Sequence, residues 1–352
     1  MVGWRVFEGT GDPRDPVPKL PPPPPWRTFT GRVPTNEPAN GPGPMGDDTE
    51  ATRRLGTTAV PFDPGGEVVM MVNAAIHLRR ALLVTGRPGV GKSSLSYLVA
   101  RELGLGAVLR WPITTRTTLQ NGLYSYDALA RLQAAQASDP VAKSPAGRRL
   151  ALRNEAYSQL GRFLQLGPLG TALLPRHRPR VLLIDEIDKS DLDLPDDLLT
   201  VLEEGTFEIP ELARYDGSDE VPVRTADYQQ TTIIEKGRVT CREFPLVIMT
   251  SNGERDFPPA FLRRCLRLTM EFPDVDRIRQ LVEAHLGTDL DGTAVDHLIE
   301  AFSAEVTTSS DHAAGQRAPD QLLNALFIIA RNAMSDEEAQ TLADRLFQTL
   351  ET

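Results

Sequence analysis

The sequence predicts an α/β domain followed by a smaller helical domain, and three observations carry this prediction. A short apolar run at residues 81–84 is followed by a Gly-rich loop and a segment of helical character. A second apolar run, at residues 181–184, ends in two acids. From residue 273 onward the pattern becomes helical. Apolar strands that alternate with helices are typical of a parallel sheet covered on both faces.

The Gly-rich loop has the spacing of a phosphate-binding loop, G-x-x-x-x-G-K-S, between a strand and a helix. Its glycines let successive backbone N–H groups point at a phosphate, and the helix starting at Lys92 adds its positive dipole end. Lys92 is expected to reach the β- and γ-phosphates, and Ser93 to offer its hydroxyl to Mg²⁺. The remaining candidate residues for binding the nucleotide here are Gly86, Arg87, Pro88, Gly89, Val90, Gly91 and Ser94.

Two further strand ends supply polar groups suited to phosphate hydrolysis. Asp185 and Glu186 end the third strand, at the sheet edge where ligands bind in open α/β sheets. Asp185 is expected to hold Mg²⁺ with Ser93, and Glu186 to polarise the attacking water. Asn252 ends the fourth strand, residues 246–250, and its amide could hold the same water.

A pair of arginines, Arg263 and Arg264, precedes a fifth strand candidate at residues 266–270. One of them could reach the γ-phosphate of a neighbouring subunit as an arginine finger. The alternative is a solvated surface pair. If one of these arginines is such a finger, the nucleotide site is complete only where two subunits meet.

The remaining segments are assigned by their periodicity and by their turn residues. We expect a strand at 107–111, a β-rich stretch at 206–244 with a hairpin turn at 235–237, and helices at 68–80, 114–136, 150–166, 195–204, 274–286, 293–303, 319–334 and 336–350. The break at residues 138–149 carries three basic residues, Lys143, Arg148 and Arg149. It predicts an insertion between the second and third strands.

Residues 1–58 differ in composition from the rest of the chain, because Pro, Gly, Asp and Thr dominate and residues 21–25 are all proline. Such a stretch favours extended polyproline II structure and a mostly disordered tail outside the core. We therefore expect its removal to leave the fold intact. Two aromatic clusters, around Trp4 and Trp26, leave open docking onto the body of the protein or onto a partner.

Composition limits the class of protein. No apolar run approaches the 18–20 or so residues of a membrane helix, and no signal pattern opens the chain. We expect a cytoplasmic protein in which Cys241 and Cys265 are ordinary thiols. The net charge of −10 disfavours a protein that works by gripping nucleic-acid phosphates.

Together these stretches resemble the AAA+ ATPases, and most closely the MoxR-type group of the helix-2-insert clade, which is related to the dynein-like AAA ATPases. The resemblance covers residues 60–350. Residues 86–93 look like Walker A, 181–186 like Walker B and 250–252 like sensor 1. Residues 257–264 look like the arginine-finger segment, in which Arg264 takes the finger position and Arg263 stands where the family often has an acid.

The resemblance implies a five-stranded parallel sheet in an α/β nucleotide-binding domain, residues 59–272, and a helical lid, residues 273–352. It also implies ATP with Mg²⁺ as cofactors and a homo-oligomeric ring, usually a hexamer. The family's sensor 2 arginine has no direct counterpart, because Asp320 occupies the aligned position. Arg317, just upstream, either substitutes for it or sensor 2 is missing.

MoxR-like ATPases are generally chaperone-like remodellers, commonly coupled to a protein with a von Willebrand factor A domain. The resemblance therefore implies an ATPase that remodels a protein partner. Two alternatives remain open from the sequence: a ring motor acting on DNA, and a nucleotide-dependent assembly switch with little turnover. A basic strip on the inserted loops would favour the first. Glu186 and Arg264 argue against the second.

Overall fold

The computed structural model describes residues 3–14, 18–34, 49–56, 60–62, 66–137, 160–214 and 220–286, and positions 299, 322, 324–328, 338, 341 and 345. The helices are α1 (Thr49–Leu55), α2 (Glu67–Leu78), α3 (Lys92–Leu103), α4 (Leu119–Leu123), α5 (Ala128–Ala137), α6 (Pro168–Ala172), α7 (Asp193–Glu204), α8 (Pro210–Ala213), α9 (Pro259–Arg264) and α10 (Val275–Leu286). Single 3-10 turns cover Pro25–Arg27, Gly161–Phe163 and Ile187–Lys189. The strands are β1 (Leu82–Thr85), β2 (Leu109–Pro112), β3 (Tyr124–Tyr126), β4 (Leu164–Leu166), β5 (Val181–Asp185), β6 (Thr206–Glu208), β7 (Glu220–Arg224), β8 (Thr231–Glu235), β9 (Arg238–Thr240), β10 (Leu246–Ser251) and β11 (Leu266–Thr269).

The centre of the fold is a five-stranded sheet with the order β11-β1-β10-β5-β2. Every pair in it is parallel, which confirms the predicted α/β fold with a five-stranded parallel sheet. Strands β5 and β10 are buried along their whole length, as expected for strands covered on both faces. Their parallel register brings the carboxyl ends of β1, β5 and β10 to the same edge of the sheet.

Helices cover both faces of this sheet and form two apolar clusters. On one face α2 and α3 contribute Val72, Leu95 and Val99, which pack with Val84 of β1. On the other face α6, α7 and α9 contribute a second set, Leu169, Leu198 and Phe261. The sheet is therefore held between two layers, and its polar edge is left to the loops that follow the strands.

In the described part of the insertion between β2 and β5, short strands interrupt the helices that the sequence predicts. Residues 150–159 of the second predicted helix lie outside the described residues. Within 114–136 the chain forms α4, then β3, then α5, and within the described part of 150–166 it forms β4. β3 and β4 pair antiparallel, with Tyr124 opposite Leu166, and extend into a second sheet of order β3-β4-β7-β8. Both residues are buried, so burial across the strand pair outweighs the local helical periodicity.

The helix after the acidic strand matches the prediction, because α7 ends at Glu204 and Gly205 caps it at φ 59°. The β-rich stretch is also confirmed, as β6 to β9 with the short helix α8 among them. Lys236 and Gly237 have φ values of 50° and 70°, as a tight turn requires. The hairpin itself is not formed, because the strands on either side of this turn, β8 and β9, belong to different sheets.

The N-terminal segment packs on the body of the protein, and the prediction of a tail outside the core is wrong for the part that the structure describes. Val6 and Phe7 are buried in the cluster formed by α2 and α3. Asn73 of α2 accepts both of their backbone N–H groups at Oδ1, at 2.7 and 3.0 Å. Buried apolar side chains with satisfied backbone groups can therefore dock a segment whose composition is otherwise that of a linker.

A buried carboxylate continues this attachment. Glu102 of α3 accepts the backbone N–H of Glu8 at 2.6 Å and that of Gly11 at 3.0 Å. Both aromatic clusters contact the body of the protein, since Phe7 is buried and Phe29 stacks on Phe244 with ring centroids 5.7 Å apart. Trp4 stacks on His77 with ring centroids 4.7 Å apart, whereas Trp26 is 78% exposed.

Helix α10 confirms the first of the four helices predicted after residue 273. It packs against the chain before α2, since Arg277 donates to the carbonyl of Pro61 at 3.1 Å and lies over the Phe62 ring. The other three predicted helices fall on residues that the structure describes only at single positions and at 324–328. The division at residues 58 and 272 stays a prediction.

The buried anchor at Phe7 leads to a prediction that reverses the expectation for this segment. We expect Phe7→Ala to lower the free energy of unfolding by about 3 kcal/mol, because it empties a fully buried site. Chemical denaturation measures the change. The control is Trp26→Ala, which removes a larger but exposed side chain and should stay within about 0.5 kcal/mol of wild type. Equal small effects of both would place the segment outside the core after all.

Candidate functional site

The Gly-rich loop joins β1 to α3 at the carboxyl edge of the sheet. Gly89 and Gly91 have φ values of 80° and 92°, in the region that glycine enters without a Cβ clash. Gly86 lies against the residue that follows β11, because a Cβ there would stand 2.5 Å from the carbonyl oxygen of Met270. Helix α3 then begins at Lys92, so its N-terminus faces the space enclosed by the loop. The loop conformation therefore depends on glycine at these positions.

Lys92 is buried and its ammonium group makes three hydrogen bonds. Nζ donates to the carbonyls of Gly86 and Arg87 at 2.7 and 2.8 Å, and to Oδ1 of Asn252 at 2.8 Å. Burial lowers the pKa of Lys92, and the nearby carboxylates of Asp188, Glu186 and Asp185 act in the opposite direction. The structure thus joins the predicted lysine to the predicted amide, although 160 residues separate them.

Asp185 collects hydrogen bonds from three neighbouring elements. Oδ1 accepts from the hydroxyl of Ser93 at 2.7 Å and from that of Thr250 at 2.9 Å. Oδ2 accepts from Arg110 of β2, at 2.8 Å from Nη2 and 3.1 Å from Nε. Burial opposes the charge, but these hydrogen bonds outweigh it and hold the pKa of Asp185 below its ordinary value. The carboxylate is therefore ionised at neutral pH.

Glu186 has a left-handed backbone, with φ 61° and ψ 52°. Its N–H donates to Oγ1 of Thr250 at 2.9 Å, which fixes the turn after β5. Its side chain is 44% exposed and its Oε2 accepts from Lys189 at 2.9 Å. The left-handed turn therefore separates two adjacent carboxylates, since Asp185 is buried among donors while Glu186 reaches solvent.

Asp188 belongs to the same site although the sequence analysis did not select it. It is buried, and its Oδ2 accepts the backbone N–H groups of Asn252 and Glu254 at 2.8 and 3.2 Å. These two bonds hold the turn that follows β10. Asp188 therefore positions the backbone of Asn252 while Lys92 contacts its side chain.

Some of the site residues that the sequence predicts are not part of the hydrogen-bonded cluster around Lys92 and Asp185. The hydroxyl of Ser94 points to the carbonyl of Arg54 in α1, 3.4 Å away. Arg263 and Arg264 end α9, and Nε of Arg264 donates to Oε1 of Glu203 at the end of α7. Arg317 falls outside the residues that the structure describes.

The structure adds three functional candidates that sequence reasoning missed: Arg110, Asp188 and the hydroxyl of Thr250. Thr250 is the last residue of the predicted fourth strand, but nothing in the local sequence marks its contact with Asp185. Arg110 lies on β2 beside β5, with Pro112 opposite Asp185, and only the sheet order brings the strands together. Asp188 could have been found, because it follows the acidic pair by two residues within the same turn.

The donor set fits Mg²⁺. The Ser93 hydroxyl and the ionised Asp185 carboxylate are hard oxygen donors in direct contact, and carboxylate and hydroxyl oxygens are the ligands that Mg²⁺ prefers in phosphate sites. Lys92 and the N-terminus of α3 lie next to them and supply positive charge for phosphates. The residues present therefore fit a nucleotide with its metal ion.

The fold and this loop define the class: a P-loop protein with a five-stranded parallel sheet and a nucleotide-binding edge. The family model of the AAA domain, dynein-related subfamily, matches residues 81–265, more than half of the chain. The chain belongs to the dynein-related AAA family, and with it to the AAA+ ATPases. A comparison with curated protein sequences finds no match. No helix in the described ranges has the length and apolar character to cross a membrane.

The bonds to Asp185 predict how acid affects stability. A carboxylate with a pKa lowered by folding stabilises the fold above its unfolded pKa, about 3.9, and loses that contribution as pH falls through the folded value. Thr250→Val removes one donor to Asp185 and also the acceptor of the Glu186 N–H, so we expect it to cost about 2 kcal/mol at pH 7. The cost should shrink below about pH 4 as Asp185 becomes protonated.

Unfolding free energies across this pH range test the prediction. The matched control is Thr231→Val, at an exposed position of β8, which should stay close to wild type throughout. A Thr250→Val deficit that is the same at pH 3 and pH 7 would show that the hydroxyl does not act through the charge on Asp185.

Proposed function

We propose that this protein is a MoxR-type AAA+ ATPase that hydrolyses ATP in an oligomeric ring to remodel a protein partner. One observation carries the hydrolytic part of the proposal. Four polar groups at or after the ends of three strands lie together at one edge of the sheet. They comprise the ammonium group of a lysine, one buried and one exposed carboxylate, and a side-chain amide. They are Lys92, Asp185, Glu186 and Asn252. These are the groups that phosphoryl transfer to water requires.

Each residue has a separate task in this proposal. The loop N–H groups and Lys92 bind the phosphates, and Ser93 and Asp185 hold the metal ion. Bound Mg²⁺ would neutralise charge on the phosphate oxygens. Asn252 is fixed by Asp188 and hydrogen-bonded to Lys92, and its proposed task is to orient the attacking water through its amide.

Glu186 is the proposed general base. Asp185 is committed to three donors, so it has little capacity left to take a proton. Glu186 is half-exposed, and its carboxylate accepts one hydrogen bond, from Lys189, among the residues that the structure describes. The division of labour between the two acids follows from their environments, because Glu186 is 44% exposed and can contact a water molecule freely, whereas Asp185 is 8% exposed.

The ring is proposed from Arg264. Arg110, on the strand beside Asp185, is engaged by that carboxylate. Arg264 is 43% exposed at the end of α9. We propose that it completes the site of the next subunit, in a head-to-tail contact that closes into a ring, usually a hexamer in this family.

The partner is proposed from the MoxR resemblance and from the net charge of the chain. We infer that the ring acts on a protein in the cytoplasm, coupled to a protein with a von Willebrand factor A domain. The acidic net charge supports a protein partner over DNA. ATPase rates with and without duplex DNA separate these two classes, since a DNA motor would be stimulated.

The roles proposed for Lys92 and Glu186 predict different defects when each residue is replaced. Lys92→Ala should abolish tight ATP binding, because it removes the ammonium that contacts the ground-state phosphates. Glu186→Gln should bind ATP normally but hydrolyse it about 10²–10⁴-fold more slowly, as expected for loss of a general base. Binding of a fluorescent ATP analogue and single-turnover hydrolysis measure the two. Equal loss of binding in both variants would show that the roles are assigned wrongly.

The shared site predicts cooperation between subunits. Arg264→Ala should bind ATP but lose on the order of 10³-fold in hydrolysis, while Arg263→Ala retains most of the rate. Wild-type rate per subunit should rise with protein concentration. Mixing Arg264→Ala with Glu186→Gln should restore activity, because one kind of interface then pairs an intact Glu186 with an intact Arg264. An inactive mixture, with a wild-type rate independent of concentration, would contradict the ring.

A further inference from the structure

Arg264 forms an ion pair within its own chain, and the geometry of that pair is one-sided. Its Nε donates to Oε1 of Glu203, and both side chains are about half-exposed. The terminal nitrogens Nη1 and Nη2 have no hydrogen-bond partner among the residues that the structure describes. An arginine presents five N–H donors in a planar fork, so a carboxylate at Nε leaves four for another acceptor.

Glu203 is itself held in place by the N-terminal segment. Arg27 donates from Nη2 to the carbonyl of Leu202 at 2.9 Å and from Nη1 to that of Glu203 at 3.1 Å. These are among the last carbonyls of α7, which have no partner inside the helix. A cation at this position also interacts favourably with the negative end of the helix dipole. Arg27 therefore caps the helix end that carries Glu203.

Residues 79–80 are linked to the C-terminal ends of both α7 and α9. Arg27 also donates to the carbonyl of Arg79, at 2.6 Å from Nη2 and 3.1 Å from Nε, and its guanidinium lies 4.5 Å from the centre of the Phe244 ring. The next residue, Arg80, donates to the carbonyls of Arg263 and Arg264 at the end of α9. The ends of α7 and α9 are thus fastened to residues 79–80, one through the N-terminal segment and one directly.

We propose that Glu203 is a positioning residue for Arg264, and that Arg27 of the N-terminal segment fixes Glu203 for this purpose. The pair orders the arginine side chain before two subunits meet, so that less rotamer freedom is lost when it contacts the neighbouring nucleotide. The terminal nitrogens stay available for phosphate oxygens. This inference rests on the proposed function, because it assumes that Arg264 completes the site of another subunit.

The opposite role for the same contact is a latch, in which Glu203 keeps Arg264 away from the neighbouring subunit. The two roles predict opposite signs. A latch would make hydrolysis faster when Glu203 is neutralised, and a positioning contact would make it slower. The one-sided geometry favours positioning, because a carboxylate that competed with a phosphate would engage the terminal nitrogens.

The test compares Glu203→Gln with Glu204→Gln in the full chain. Glu204 is the next residue of α7, is exposed and carries the same charge, so its variant controls for net charge and helix propensity. At protein concentrations that saturate the wild-type rate, we expect Glu203→Gln to lower kcat about 3- to 5-fold with KM for ATP unchanged. This is the range expected for an exposed ion pair. Glu204→Gln should keep the wild-type kcat.

A double-mutant cycle separates positioning from a general structural effect. In the Arg264→Ala background, Glu203→Gln should cause no further loss, because the residue that it positions is gone. Arg27→Lys keeps the charge but not the fork that spans three carbonyls, so it should lower kcat in the same direction and combine non-additively with Glu203→Gln. Thermal unfolding of each variant checks that the fold is retained.

The outcomes are distinguishable. A Glu203→Gln protein as active as Glu204→Gln, or faster than wild type, overturns the positioning role. So does an equal further loss in the Arg264→Ala background. A normal kcat in Arg264→Ala overturns the shared site itself and the inference with it. Loss of hydrolysis in Arg264→Ala with a normal Glu203→Gln overturns the inference alone and leaves the proposed function standing.

Discussion

The hydrogen-bonded carboxylate of Asp185 is the interaction on which the arrangement of the site depends. It ends β5 and accepts from Ser93 of α3, Thr250 of β10 and Arg110 of β2. Three elements that neighbour β5 are therefore tied to one buried charge. Because the cost of burying that charge is met by these donors, the loop, the acidic turn and the amide turn all have defined positions around it.

The turn after Asp185 places three acids in three environments. Asp185 is buried and bonded, Glu186 is turned out by its left-handed backbone, and Asp188 is buried beneath the turn that carries Asn252. A non-glycine residue in this conformation costs on the order of 1 kcal/mol and persists only where its surroundings determine it. Here the bond from the Glu186 N–H to Thr250 does so. The left-handed backbone of Glu186 directs its carboxylate to solvent.

The N-terminal segment connects regions that are far apart in the chain. Val6 and Phe7 anchor it to α2, Glu102 of α3 accepts its backbone N–H groups, and Arg27 caps α7 beside Glu203. A linker-like composition and a structural role are compatible, because docking needs only a few buried side chains and satisfied backbone groups. The segment thus links the helices behind the phosphate loop to the helix end near Arg264.

The sequence by itself determined the α/β class, the five strands of the central sheet, the phosphate loop and the order of the acids and amide along the chain. These are local signals: a strand buried on both faces must be apolar throughout, and the loop needs glycine at fixed positions. Tertiary structure decided what depends on distant partners. β3 interrupts the helix predicted at 114–136, and β4 forms at the end of the helix predicted at 150–166, because Tyr124 and Leu166 are buried across a strand pair. The burial of Phe7, the bonds from Arg110 and Thr250 to Asp185, and the pairing of Arg264 with Glu203 join residues that are 61 or more positions apart. No pattern within a single segment encodes such contacts, because they form only after the strands and helices have packed.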